Sequence, residues 1–289
     1  MKPVALITGA SAGIGAQLAR VFAEHGHELV LVARREGRLA ALADEIAAAG
    51  RPRPTVLAFN LERRDAVSLI AAELSSRSLE PAIVVNNAGF GLAGPAAALD
   101  RDAQLAMIDL NVRALTELSL AFVESLARHR GGILNVASVA AFLPGPGMAV
   151  YHASKAYVLS FSEALHRELS GRGIKVTALC PGPVPTEFQA RAGMRESRTE
   201  RIFSLPADRV VRLGYRGFMR GKRVVVAGLG NRIAVLLVRL TPNALLLPIM
   251  DKDMRKTRGR PPPFPPPLAG EEKSLNPPPQ AGEGREGAL

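Results

Sequence analysis

Seven short apolar runs punctuate the chain, at residues 4–7, 29–32, 56–58, 83–85, 133–136, 176–179 and 224–226. Runs this short, with no polar alternation, read as strands buried on both faces. Between them apolar positions recur near every 3.6 residues, the period of a helix. One such helix covers 13–25 and stops at Gly26; another covers 36–49 and stops at Gly50, each ended by the glycine a helix C-terminus favours. Strands joined by helical crossovers predict an α/β fold: a Rossmann-like, doubly wound parallel sheet of about seven strands with helices on both faces. The segment 103–128 sets Leu105, Ile108, Val112, Leu115, Phe122 and Leu126 on one stripe, and 151–169 is a second long helix. Residues 233–250 are apolar but hold Arg239, Pro242 and Pro248, so they read as a helix followed by a loop.

Composition narrows the picture. Hydrophobic residues make up 47 % of 289, tryptophan is absent, and no 20–50-residue period marks a solenoid, so the core is Ala, Val, Leu and Ile. Nine of the 22 prolines fall in the last 29 residues, in runs that cannot sustain a hydrogen-bonded helix. One domain is therefore expected over 1–250, with 231–250 an apolar extension, and a disordered tail over 251–289. Cys180 is the only cysteine, which excludes an internal disulfide and fits a reducing compartment; it reads as a small core residue. The first apolar run is too short for an export signal and no uncharged stretch reaches the ~20 residues of a bilayer span, so a cytoplasmic location is expected. The net charge of +11 is spread over predicted helices rather than clustered with aromatics, which argues against nucleic acid. The histidines at 25, 27, 129, 152 and 166 lack metal-ligand spacing, and no metal is expected.

The chemistry lies in spacings. Thr8 to Gly15 form a small-residue loop between the first strand and the first helix, with glycines at 9, 13 and 15. Such a junction presents backbone N–H groups and a helix dipole to a pyrophosphate, and Gly9, Ser11, Gly13, Ile14 and Gly15 are the candidates there. Nineteen residues after Gly15 stand Arg34 and Arg35, where an acid would meet the ribose 2′-OH of NAD. A guanidinium there suits a phosphate, so NADP(H) is expected, with Ser11 as a second phosphate contact. Tyr151 and Lys155 are four apart on a helix and therefore share a face. A cation beside a phenol favours its ionised form and lowers a pKa that otherwise lies near ~10.

These residues, with Asn86-Asn87-Ala88-Gly89, Asn111, Ser138 and Pro181-Gly182, resemble the short-chain dehydrogenase/reductase family over roughly residues 3–228, in its compact oxidoreductase branch. The resemblance implies Tyr151 as the proton donor in carbonyl reduction, Ser138 as the hydrogen bond to the substrate oxygen, Lys155 on the nicotinamide ribose, and Asn111 in a proton relay. It implies further cofactor contacts from Asn87, Ala88 and Gly89, and from Pro181, Gly182, Val184 and Thr186. Asn60 and Leu61 are further implied cofactor contacts near the adenine, where the family commonly has an acid; asparagine can still accept and donate a hydrogen bond there. A homo-oligomer paired through 103–128 and 151–169 is also implied.

Phe90, Phe142, Met148 and Phe188 make the substrate neighbourhood apolar, with Leu92 and Met194, favouring a hydrophobic ketone or aldehyde such as an acyl-chain or steroid-like carbonyl. Arg191, Arg195, Arg198 and Arg201 would make a basic stripe on a helix, either a solvated lid or a contact for an acyl carrier's phosphates. The 231–250 extension could cover the pocket, join a subunit or rest on a membrane surface. The rival reading is an NADP(H)-binding sensor that keeps the fold without turnover. A sensor needs no proton donor.

Overall fold

The computed structural model describes residues 1–194 and 203–257. All seven runs are strands: β1 Lys2–Thr8, β2 Leu29–Ala33, β3 Thr55–Ala58, β4 Leu79–Asn86, β5 Gly132–Val136, β6 Lys175–Cys180 and β7 Val224–Val226. They form one parallel sheet in the order β3-β2-β1-β4-β5-β6-β7. Strand order reverses between β1 and β4, which opens a crevice at the strands' carboxyl ends.

Successive residues of one strand enter opposite layers, which is why the strands are apolar throughout. Ile7, Leu31 and Val85 pack with Phe22, Leu39 and Phe218, from α1 Gly13–Glu24, α2 Glu36–Ala48 and α9 Ala207–Met219. Leu6, Val30 and Val84 pack on the other side with Ile70, Leu118 and Leu165. These last belong to α3 Ala66–Ser76, α5 Leu115–Ala121 and α7 Ala149–Ser170. Between the sheet and that second layer runs a polar seam. Asn86 donates to Ser119 and to Asn135, both at 2.9 Å, and Asn135 donates to Ser162 at 2.9 Å.

Two expectations need correction. The segment 103–128 is not one helix: α4 Arg101–Ile108 leads into a π-helical turn, Asp109–Ala114, then α5 and α6 Val123–Arg128. A π turn inserts one residue into the winding and rotates the faces on either side of it. Leu105 and Ile108 are accordingly 52 % and 41 % exposed, whereas Leu115, Phe122 and Leu126 are buried. The second correction concerns the end. After α10 Leu229–Leu240 the chain forms α11 Asn243–Thr257 where a loop was expected, and α11 runs through position 251, the expected start of the tail. Pro248 removes one helical hydrogen bond, but Leu246, Met250 and Met254 recur every four residues on the inward face and hold the helix in place. The proline-rich residues 261–289, and Arg195, Arg198 and Arg201 of the basic stripe, lie outside the described residues.

Candidate active site

The glycines are needed for space. Gly9 and Gly13 have φ of +64° and +54°, and a Cβ on Gly9 would lie 2.8 Å from both the Ala88 Cα and the Asn87 amide nitrogen. On Gly15 it would lie 2.2 Å from the Gly9 carbonyl oxygen. The turn at 87–89 is pinned against this loop: Thr8 Oγ1 accepts from the N–H groups of Asn87 and Ala88 at 3.0 and 3.1 Å. The Asn87 side chain donates back to the Thr8 carbonyl at 2.9 Å. Two backbones approach so closely that the mouth above α1 is lined by main chain, the surface a pyrophosphate requires.

One end of the crevice is cationic. Arg35 donates from Nε and Nη2 to Ser11 Oγ at 3.2 and 3.0 Å and from Nη1 to Glu187 at 2.9 Å. Arg34 is more exposed and makes a longer ion pair, 3.3 Å, with Glu62. The two expected arginines therefore differ in role, since only Arg35 is held against Ser11. Asn60 accepts from the Glu62 N–H at 3.1 Å, so its side chain shapes the loop after β3.

The other end carries the reactive set. Ser138 follows β5 and caps a short 3-10 turn, Val139–Phe142, by accepting from the Ala140 N–H at 3.1 Å. Its hydroxyl also hydrogen-bonds the Tyr151 phenol, which lowers the phenol's pKa, yet burial is the larger effect and pushes Tyr151 up to about 12. Lys155 Nζ lies 5.9 Å from the Tyr151 ring centroid and donates to the Val136 carbonyl at 2.8 Å. Burial lowers Lys155 to about 8. The expected depression of the phenol by the amine is thus absent: the ammonium is turned toward a carbonyl, and desolvation outweighs it. Burial also pushes Cys180 up to about 12, which leaves an inert core thiol.

Asn111 sits in the π turn, 1 % exposed. Its amide donates to the Phe90 carbonyl at 2.9 Å and to Ser154 at 3.1 Å and accepts from the Phe90 N–H at 3.1 Å. One amide hydrogen clamps the Phe90 loop and the other ties the π turn to Ser154 of α7, next to Lys155. Asn111 is the one predicted site residue that does not line the cavity.

All the others line a single cavity of about 630 Å³. The Pro181 carbonyl accepts from the Val139 N–H at 2.9 Å, tying the loop after β6 to Ser138. A Cβ on Gly182 would lie 2.5 Å from the Asn231 amide. Thr186 caps α8 Glu187–Ala192, accepting from the Phe188 N–H at 3.3 Å, so its hydroxyl has a structural duty first. Phe188 reaches the Tyr151 ring, with centroids 5.3 Å apart. Sequence reasoning missed Glu187, and it left open whether the extension covers the pocket; Val235, Val238, Met250 and Met254 form that wall. A spacing of three between 235 and 238 and of four between 250 and 254 was the available signal.

Comparison with known proteins agrees with the geometry. The family described as short chain dehydrogenase matches residues 3–197.

The chain belongs to the short-chain dehydrogenase/reductase family.

Among relatives in this family, it is 38 % identical over 207 residues to sulfoacetaldehyde reductase 2 of Chromohalobacter salexigens, covering 70 % of this chain and 81 % of that one. It is 36 % identical over 192 residues to the NADP-dependent 3-hydroxy acid dehydrogenase YdfG of Salmonella typhi, covering 65 % and 75 %. A short-chain dehydrogenase from Sphingobium yanoikuyae in complex with NADPH superposes with a TM-score of 0.71 at 34 % identity, over 86 % of this chain and 95 % of that one. The bulky-bulky ketone specific alcohol dehydrogenase from Comamonas testosteroni gives 0.69 at 29 % identity, over 87 % and 94 %. Family members of this kind interconvert alcohols and carbonyls, and this chain carries the oxidoreductase fold with its reactive side chains in one cavity.

Proposed function

We propose that the protein is an NADP(H)-dependent reductase of a hydrophobic ketone or aldehyde, acting in the cytoplasm. One observation carries the reading: a single cavity has Arg35 and Ser11 at one end and Ser138, Tyr151 and Lys155 among apolar walls at the other. The spacing of the glycine loop and the Arg35–Ser11 contact fit a phosphorylated dinucleotide, and relatives carrying NADPH or named NADP-dependent support it. When bound, reduced nicotinamide supplies the hydride. Ser138 donates a hydrogen bond to the carbonyl oxygen and stabilises its growing charge. Tyr151, still protonated at neutral pH because burial holds its pKa up, gives that oxygen a proton. The Ser138 hydroxyl stabilises the phenolate left behind, and Lys155, charged below about pH 8, would hold the nicotinamide ribose. Asn111 is a positioning residue that fixes the loop beside Lys155.

Phe90, Phe142, Met148 and Phe188 with the α10 and α11 wall favour a bulky apolar substrate, as the similarity to a bulky-ketone alcohol dehydrogenase also does. The outward face of α4–α7 exposes Leu105, Ile108, Leu120 and Tyr157, which supports pairing of two copies there. The test is Tyr151→Phe. Cofactor affinity should be kept while NADPH consumption falls about a thousandfold across a panel of acyl thioesters, steroids and aldehydes. A wild-type protein inert toward the whole panel, with a protein partner that binds only its NADP(H)-loaded form, would favour the sensor.

A further inference from the structure

We propose that Glu187 is a specificity-determining residue whose carboxylate competes with the cofactor's 2′-phosphate for Arg35, while holding α8 over the carbonyl end of the cavity. The inference rests on the reading of Arg35 and Ser11 as the phosphate seat.

Three guanidinium groups converge on this one carboxylate. Glu187 Oε2 accepts from Arg35 at 2.9 Å and from Arg191 at 2.7 Å, and Oε1 accepts from Arg38. Arg35 is the least accessible of the three, its side chain 12 % exposed against 48 % for Arg38 and 44 % for Arg191. It is also the one whose other nitrogens touch Ser11. Three cations against one anion leave an excess of two positive charges, and burial together with the charge of Arg35 holds Arg191 below the usual guanidinium range. A phosphomonoester brings about −1.5 to −2 near neutral pH, which matches that excess. Seated on Ser11 and Arg35, it shares a guanidinium with the Glu187 carboxylate, and two anions on one fork repel each other. Glu187 therefore lowers the affinity of the seat without abolishing it.

The reason to keep such a residue lies one position further along. Glu187 opens α8, and Phe188 beside it meets the Tyr151 ring. The ion pairs from α2 to Glu187 fasten α8 across the crevice, so the arginines that read the cofactor also set the wall around the reacting carbonyl. Loss of the carboxylate should strengthen phosphate binding and loosen the substrate side, a combination that a plain structural tether does not produce. An exposed ion pair with no such link would alter neither.

The experiment compares adenosine 2′,5′-bisphosphate with 5′-AMP by calorimetry on the wild-type protein and Glu187→Gln. The variant should bind the bisphosphate about tenfold more tightly and 5′-AMP within about twofold of wild type, with the KM for a ketone raised. If wild type discriminates between the two nucleotides but Glu187→Gln binds the bisphosphate no better, the role of Glu187 is refuted. If wild type binds both alike, the phosphate seat itself is refuted, and the inference falls with it.

Discussion

Gly15→Ala adds one carbon at a crowded point of the glycine loop. That carbon would lie 2.2 Å from the Gly9 carbonyl oxygen and 2.4 Å from the Asn87 amide nitrogen, each about 1 Å inside ordinary contact. Neither neighbour is a flexible tip. The carbonyl is backbone, and the amide is held to Thr8 and Gly9 at 2.9 and 3.2 Å. Overpacking of this kind costs ~1–3 kcal/mol, and two disturbed hydrogen bonds add ~1 kcal/mol each, about 3–5 kcal/mol in all. For a domain of this size that corresponds to a fall in Tm of roughly 10 °C. Thermal unfolding followed by circular dichroism measures it, with NADPH titration on the same samples. Gly37→Ala supplies the opposite sign: it lies in α2 with nothing within 4 Å, so the added methyl should stabilise by ~0.5–1 kcal/mol. A Gly15→Ala protein that melts within a degree or two of wild type and binds NADPH normally would refute the close approach of the two loops.

Arg35→Ala should weaken NADPH by about a hundredfold and NADH by less than about threefold, while Arg34→Ala costs NADPH no more than about fivefold; fluorescence titration with both cofactors decides, and the reverse ranking would overturn the seat on Ser11. The rate of carbonyl reduction should fall as pH rises through about 8, where Lys155 loses its charge. Stability should move the other way: with a folded pKa depressed below the unfolded value near ~10.4, the unfolded chain binds more protons between those values, so the Lys155 contribution grows more favourable as pH rises through that window. A pH-rate profile and urea melts at pH 7 and 9.5, compared with Lys155→Met, separate the two slopes. Asn135→Ala should cost ~2–4 kcal/mol in urea unfolding, because Asn86 loses an acceptor inside the seam between β4, β5 and α7.

The strands were legible because a parallel sheet covered on both faces needs unbroken apolar runs, and each of the seven runs lies within an observed strand. The helix ends at Gly26 and Gly50 were legible because only glycine takes φ of +82° and +74° without strain. The reactive spacing of Tyr151 and Lys155 was legible because four residues is nearly one turn. What stayed hidden depends on contacts between distant segments. The π turn at Asp109–Ala114 leaves no local mark, since its reason is the Asn111 clamp on Phe90, 21 residues away. The direction of Lys155 is decided by the Val136 carbonyl on β5, which helical spacing cannot supply. Glu187 reads as one more surface acid until folding brings it to Arg35, 152 residues away.

Substrate choice follows the same division. The match to the family ends at residue 197, and within it lie the glycine loop, Arg35, Ser138, Tyr151 and Lys155. The far wall of the cavity is built from Val235 and Val238 of α10 and Met250 and Met254 of α11, all beyond that match. Relatives as different as a reductase of sulfoacetaldehyde and a dehydrogenase of 3-hydroxy acids match this chain, so the family match does not choose the substrate, and the C-terminal helices that wall the cavity lie outside it. Those helices present apolar side chains to the cavity and, at Ile233, Leu236, Leu240 and Leu245, to the outside as well. An apolar wall offers no donor to compensate a buried sulfonate or carboxylate, and desolvating such a charge without a partner costs several kcal/mol. On that ground sulfoacetaldehyde should be a poor substrate for this protein and a bulky uncharged ketone a good one, by at least about a hundredfold in kcat/KM. A preference for the small anion in direct competition would mean that Arg191, and not the C-terminal wall, selects the substrate.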